Sequence, residues 1–153
     1  MSLLPELLAP ERILLDVPAA SKEALYEEVG RRLAEALQVP AKTITASLLA
    51  REKLGSTGLG QGVAIPHGRI KGLKRAVGCF VRPRDAIPFG APDGLPVNLI
   101  FVLLVPEQAN ELHLQILSEL ATLLGDRAFR DQLAGLSDPV AIHHLFTHPH
   151  APD

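Results

Sequence analysis

The sequence predicts an α/β layered sandwich. Short apolar strands alternate with amphipathic helices along the chain, and one nearly continuous apolar stretch, residues 95–105, has the character of a strand covered on both faces. Hydrophobic residues make up 47% of the 153 residues and charged residues 21%, close to a globular average, so disordered and low-complexity architectures are excluded. Aromatics are only 4%, with no Trp and one Tyr, which leaves Leu, Ile, Val and Ala to build the core.

The first element is a strand: Ile13, Leu14, Leu15 and Val17 form an apolar run ended by Pro18. Ser21 then opens a helix over 22–37, in which Leu25, Val29, Leu33 and Leu37 recur every four positions while Glu23, Glu27, Arg31 and Glu35 take other faces. Pro40 closes that segment, and Ile44, Leu48 and Leu49 mark a second helix over 43–53 that Gly55 stops. Residues 55–72 contain six glycines and Pro66, which predicts an irregular stretch. Strands follow at 76–81 and 95–105, separated by a loop or edge hairpin over 82–94 with three prolines and two glycines. After Pro106 the helical period returns: Leu112, Ile116, Leu120 and Leu123 line one face up to Gly125. A short helix over 126–133 and a last one starting at Pro139 behind Ser137 and Asp138 complete the chain. The expected organisation is one domain over 1–147 and a flexible tail over 148–153.

Charge and composition limit the function. With 15 basic and 17 acidic residues the formal net charge is −2, so no broad surface for nucleic acid or acidic lipid is expected. Cys79 is the single cysteine, which excludes an internal disulfide and a Cys-pair zinc site and suits a reducing compartment. The first ten residues carry Glu6 and two prolines without a basic leader, and the longest uncharged apolar run is about a dozen residues against the ~20 of a membrane helix. A cytoplasmic protein that is not embedded in a membrane is the expectation.

The segment Gly55-Ser56-Thr57-Gly58-Leu59-Gly60-Gln61-Gly62 has neither a Gly-Lys-Ser/Thr ending nor dinucleotide glycine spacing, yet its backbone could still present N–H groups to an anion. It leads into Val63-Ala64-Ile65-Pro66-His67-Gly68. Pro66 biases Ile65 towards extended geometry, and Gly68 lets the chain turn just after the imidazole, so His67 is expected at a strand end. A neutral imidazole, with an ordinary pKa of about 6.5, keeps a nitrogen lone pair at pH 7 and can act as a nucleophile. A structural or exposed histidine is the competing reading of these residues.

Arg51-Glu52-Lys53-Leu54 followed by the glycine segment and Val63-Ala64-Ile65-Pro66-His67-Gly68 closely resembles the active-site segment of enzyme IIA proteins of the bacterial phosphoenolpyruvate-dependent phosphotransferase system, in the branches for fructose, mannitol and nitrogen regulation. The resemblance extends over nearly the whole chain, through Arg75-Ala76-Val77-Gly78, Pro96-Val97, Phe101-Val102-Leu103-Leu104-Val105-Pro106 and His113-Leu114. It implies a three-layer α/β sandwich with a mixed parallel and antiparallel sheet flanked by helices. It also implies that His67 accepts a phosphoryl group from the phosphohistidine of the small phosphocarrier protein, with His113 as the second active-site histidine and Arg51 as the arginine beside the site. Transfer between two imidazoles is mainly a matter of positioning, with donors needed for the phosphoryl oxygens. Arg51 can supply a fork of donors, and His113 can hydrogen-bond the phosphate or orient His67. No metal or nucleotide cofactor is implied. Ser56 and Thr57 could donate to phosphate or shape the turn. Taken alone, Arg51 could serve the helix dipole and His113 could cap or pack at its helix start.

His67-Gly68-Arg69 looks most like the nitrogen-regulatory branch. In that branch the two phosphorylation states bind different cytoplasmic targets, such as potassium transporters or sensor kinases. A sugar-specific enzyme IIA that passes its phosphoryl group to an enzyme IIB, and a binding module that keeps the fold without transfer, are the alternatives. Two further clusters carry other readings. Arg69, Lys71, Lys74 and Arg75 form a basic cluster that suits either solvent or an acidic or phosphorylated protein partner. His143, His144, His148 and His150 raise a metal site, but they lack a Cys or acidic partner, and a solvated histidine-bearing tail is favoured.

Overall fold

A computed structural model describes residues 2–108 and 111–149, Leu112 by its backbone alone. Six strands form one mixed sheet. β1 (Ile13–Val17), β5 (Val77–Pro83) and β6 (Leu99–Pro106) are its long members, and β2 (Gly58–Gly60), β3 (Val63–Ala64) and β4 (His67–Ile70) are short. The order is β1-β5-β6-β3-β2, with β4 also on β6. β1 runs parallel to β5, β5 antiparallel to β6, and β3 and β4 both parallel to β6. β3 and β4 therefore lie end to end along one strand, Val63 opposite Leu99 and His67 opposite Leu103. Ile65 and Pro66 bridge the gap, and the Pro66 carbonyl still accepts the Leu103 N–H at 2.9 Å.

Helices cover both faces, giving the expected three layers. On one side α2 (Lys22–Leu37) and α3 (Ala41–Glu52) pack Leu25, Val29, Leu33, Ile44 and Leu48 against Ile70, Cys79, Val81, Ile100, Val102 and Leu104. On the other, α1 (Leu4–Leu7), α4 (Glu111–Leu124), α5 (Arg127–Gly135) and α6 (Pro139–Thr147) pack against Phe80, Leu99, Phe101, Leu103 and Val105. The even and odd residues of β6 thus divide between two cores, and every residue from Leu99 to Val105 is buried. The helix starts read at Ser21 and Asp138 form as hydrogen-bonded caps, their side chains accepting from the N–H groups of Ala24 and Val140, and Asp126, expected inside its helix, also caps it by accepting from the Phe129 N–H.

Three expectations are corrected. Residues 55–72 are not irregular throughout, because β2, β3 and β4 lie within them; strands of two to four residues are too short to display alternation. The apolar run expected as a strand over 95–105 pairs as one only from Leu99, and Val97 instead bridges Ile87 across the preceding loop. Gly68 does not turn the chain: it lies inside β4, and its missing side chain is required because a Cβ there would come within 2.3 Å of the Ser47 hydroxyl. The short helix α1 was not expected at all, since four residues carry no period. Of the expected tail, residues 150–153 lie outside the described residues.

Candidate functional site

His67 opens β4 at the sheet edge, where α3 runs alongside. Close approach at Gly68 lets the Ser47 hydroxyl donate to the Arg69 carbonyl at 2.8 Å, which seats α3 on β4. Arg51 lies one helical turn beyond Ser47, on the same face of α3, and so reaches the imidazole. Its Nε–H donates to His67 Nε2 at 3.2 Å, while Nη1 donates to the Gly55 carbonyl at 2.9 Å.

The two ring nitrogens of His67 are thereby distinguished. Nδ1 lies 3.0 Å from the Ile65 carbonyl, an acceptor, so this nitrogen carries the proton. Nε2 accepts from Arg51 and keeps its lone pair. The ring is half-buried, and burial is the main reason its pKa falls below the ordinary 6.5; positive charge on Arg51 and His113 adds to the fall, against the Ile65 carbonyl and the Glu52 carboxylate. Neutral His67 with an unprotonated Nε2 is the form at pH 7.

His113 is the third residue of α4 and is near enough for its charge to act on His67. Its Nδ1 is buried with no hydrogen-bond partner among the described residues. Arg51 thus contacts His67 directly, and His113 lies within electrostatic reach of it. Ser56 and Thr57 are placed differently from a phosphate-binding pair. The Ser56 hydroxyl donates to the Phe89 carbonyl at 2.6 Å and accepts from the Gly58 N–H. The Thr57 hydroxyl donates to Glu52 Oε1 at 2.7 Å, and its N–H to Oε2 at 2.9 Å. Both hydroxyl protons are spent inside the protein, that of Ser56 on the loop carbonyl of Phe89 and that of Thr57 on Glu52, in line with the turn-shaping alternative.

Glu52, Tyr26 and Lys22 were missed by the sequence reading. The Glu52 carboxylate is 4% exposed and also accepts from the Tyr26 hydroxyl at 2.7 Å and Lys22 Nζ at 3.2 Å. Burial alone would raise this carboxyl; the donors of Thr57, Tyr26 and Lys22 outweigh it and hold it below the ordinary carboxylate value. A signal existed: Glu52 continues the buried stripe of Ile44 and Leu48 at the next four-residue step.

The remaining clusters stand apart. His143 Nε2 hydrogen-bonds the Leu8 carbonyl, and the rings of His144 and His148 stack at 4.4 Å; among the described residues no three His, Cys, Asp or Glu groups converge as for a metal, and His150 lies outside them. Arg69 donates to the Glu107 carbonyl, while Lys71, Lys74 and Arg75 are exposed beyond the far end of β4. The buried Cys79 thiol is pushed up to about 12 and is no nucleophile. No helix among the described residues is long and apolar enough to cross a membrane.

Comparison with known proteins now decides the family. Residues 6–148 match the family described as phosphoenolpyruvate-dependent sugar phosphotransferase system, EIIA 2. The chain belongs to this family. As an enzyme IIA domain it is a phosphotransferase-type component, and its sequence is 41% identical to a nitrogen regulatory protein of Pseudomonas aeruginosa over 93% of each chain. Its fold matches the crystal structure of the nitrogen regulatory protein IIA-Ntr from Neisseria meningitidis with a TM-score of 0.90 at 46% identity, covering 95% of this chain and 99% of that one. It also matches, at 26% identity and a TM-score of 0.72, Escherichia coli enzyme IIA for mannitol in complex with phosphorylated enzyme IIB, over 89% of this chain and 95% of that one. The enzyme IIA fold thus joins this chain to both the regulatory and the sugar branches, with the higher identity on the regulatory side.

Proposed function

We propose that this enzyme IIA domain is a phosphoryl carrier of the nitrogen-regulatory branch that accepts its phosphoryl group on His67 Nε2. The observation that carries the proposal is the pair of contacts that assign opposite roles to the ring nitrogens: the Ile65 carbonyl holds the proton on Nδ1, and Arg51 meets an unprotonated Nε2. The donor is the phosphohistidine of the small phosphocarrier protein. His67 Nε2 attacks its phosphorus in line; the donor's P–N bond breaks as the new one forms, and the donor's imidazole leaves as a neutral ring. Positive charge builds on the His67 ring, and the Nδ1–H on the Ile65 carbonyl offsets it. The Arg51 guanidinium moves from the lone pair to the phosphoryl oxygens, where its fork fits the charge. His113, whose buried Nδ1 has no hydrogen-bond partner among the described residues, completes the oxygen shell. Exposed Leu54, just after α3, and Leu114, next to His113 on α4, offer apolar surface to the donor.

The output is regulatory and cytoplasmic. Phosphorylation adds roughly two negative charges to a neutral ring, enough to create or remove a contact with targets such as potassium transporters or sensor kinases. Transfer to an enzyme IIB is the second reading, favoured by the match to the mannitol enzyme IIA seen with its phosphorylated enzyme IIB. Incubation with phosphoenolpyruvate, enzyme I and the phosphocarrier protein should label the chain with one acid-labile phosphoryl group, and His67→Ala should abolish it. Label that persists in His67→Ala would reject the acceptor, and an unlabelled native chain would point to a binding module.

A further inference from the structure

Glu52 occupies a place that ordinary folding energetics disfavours twice. It ends α3, where the negative pole of the helix repels a carboxylate, and it lies on the buried stripe where Ile44 and Leu48 precede it. A leucine would suit both the helix end and the core. The carboxylate is instead saturated by four donors from two segments: Lys22 and Tyr26 of α2, and the hydroxyl and N–H of Thr57 at the entrance to β2. The same Lys22 donates to the Phe89 carbonyl at 3.2 Å, which also takes the Ser56 hydroxyl. One buried anion thus ties together the start of α2, the end of α3, the turn after it and the loop before β6.

Its neighbour in sequence is Arg51. Successive residues of a helix project about 100° apart, so seating Glu52 inward fixes the direction in which Arg51 leaves α3. Beyond the helix the 52–57 turn is held at two points, by Glu52 on Thr57 at its end and by Arg51 Nη1 on the Gly55 carbonyl within it. We propose that Glu52 is a positioning residue for phosphoryl transfer: its buried carboxylate sets the α3 end and the 52–57 turn so that the Arg51 guanidinium stands at His67 Nε2. The proposal rests on His67 as the acceptor for its kinetic consequence, and on the observed contacts alone for its structural one.

All four partners are donors, so a neutral amide at position 52 must turn an NH2 group towards at least one of them. Shape and charge therefore separate in two variants: Glu52→Gln keeps the shape and loses the charge, and Glu52→Asp keeps the charge on a shorter arm. Leu133→Ala, in the opposite core, serves as a control for lost stability alone. Each variant is compared with the native chain in the rate of phosphoryl transfer from the phosphorylated phosphocarrier protein, in melting temperature, and in the nitrogen-15 spectrum of Arg51 Nε and the His67 ring. Expected are a tenfold or greater loss of rate in Glu52→Gln, partial recovery in Glu52→Asp, and a lowered melting temperature with unchanged rate in Leu133→Ala. The Arg51 Nε–H signal, protected in the native chain, should exchange with solvent in Glu52→Gln. Native Arg51 and His67 signals in a folded Glu52→Gln variant would overturn the proposal, as would Glu52→Gln transferring as fast as Glu52→Asp. If the native chain takes no phosphoryl group while Glu52→Gln still loses the Arg51 signal, the acceptor reading falls and the positioning role of Glu52 stands.

Discussion

Two buried regions of this molecule are built on opposite terms. Between the sheet and the C-terminal helices, Phe146 of α6 stands at the centre of an aromatic cluster, its ring 5.3–5.4 Å from those of Phe80, Phe101 and Phe129. Every side chain in that core is apolar, and burial itself is the driving force. At the junction of α3 and β2 the buried side chain is a carboxylate, and its stability depends on four correctly aimed donors. Apolar packing tolerates small shifts, because dispersion is non-directional. A saturated carboxylate does not, because each lost donor leaves a buried group unsatisfied. The first arrangement suits a scaffold and the second suits a site in which one guanidinium must meet one imidazole nitrogen.

The largest effect that separates the two regions should come from Phe146→Ala. Deleting the ring opens a cavity among three other aromatic rings, at a cost of about 3–5 kcal/mol in unfolding free energy. Chemical denaturation would show this as a lowered midpoint. Phosphoryl transfer per folded molecule should be unchanged, since Phe146 packs on the opposite side of the sheet from α3. A variant that unfolds no more easily, or that loses transfer while folded, would show that the two regions are not separable in this way.

The same division explains what could be read from the chain. The aromatic core was legible because α4 and α6 repeat apolar residues at the helical period and because β6 is apolar throughout, and both patterns follow from burial alone. His67 was legible as a histidine confined between Pro66 and Gly68, and its resemblance to the enzyme IIA segment supplied its expected chemistry. Arg51 and His113 entered through the resemblance, since nothing in their spacing separates them from an ordinary helix-end cation and an ordinary helix-start histidine. Glu52 was passed over because acidic residues in helices are ordinarily solvated. Tyr26 and Lys22, some thirty residues upstream, could be joined to it only by the packing of α2 on α3. Gly68 was read for backbone freedom, whereas its role is close approach to Ser47, a property of two elements rather than of one.

Arg51→Ala should show the reverse pattern to Phe146→Ala. Arg51 is half-buried and its bonds go to the turn carbonyl of Gly55 and to His67, so its removal should leave stability within about 1 kcal/mol of native. Transfer to His67 should fall on the order of a hundredfold, the usual scale for removing a donor from a developing oxyanion. Arg51→Lys should recover only part of this, because an ammonium is a point charge without the planar fork. Rapid-quench transfer from the labelled phosphocarrier protein measures both variants. A large loss of stability in Arg51→Ala with a small loss of rate would assign Arg51 to the scaffold instead.

The smallest effect is a titration, and it tests whether the polar junction acts electrically on the site as well as geometrically. Protonation of Nε2 removes the lone pair, so transfer should be constant above the His67 midpoint and fall tenfold for each pH unit below it. Burial chiefly places that midpoint below the ordinary 6.5. Because the unfolded chain then binds the proton more readily than the folded one, His67 favours folding above pH 6.5, and this contribution is lost as the pH falls through the folded midpoint. The neighbours shift the midpoint in opposite directions. Removing the Arg51 cation should raise it, and neutralising Glu52 with Arg51 held in place would lower it, since one opposes and the other favours the imidazolium. Following the His67 ring by nitrogen-15 NMR in the native chain, Arg51→Ala and Glu52→Gln separates charge from position: the midpoint should rise in Arg51→Ala, and in Glu52→Gln, where the guanidinium leaves Nε2, it should not fall below the native one. A Glu52→Gln midpoint below the native one would mean that the carboxylate acts on His67 through its charge with Arg51 still in place, and would count against its positioning role.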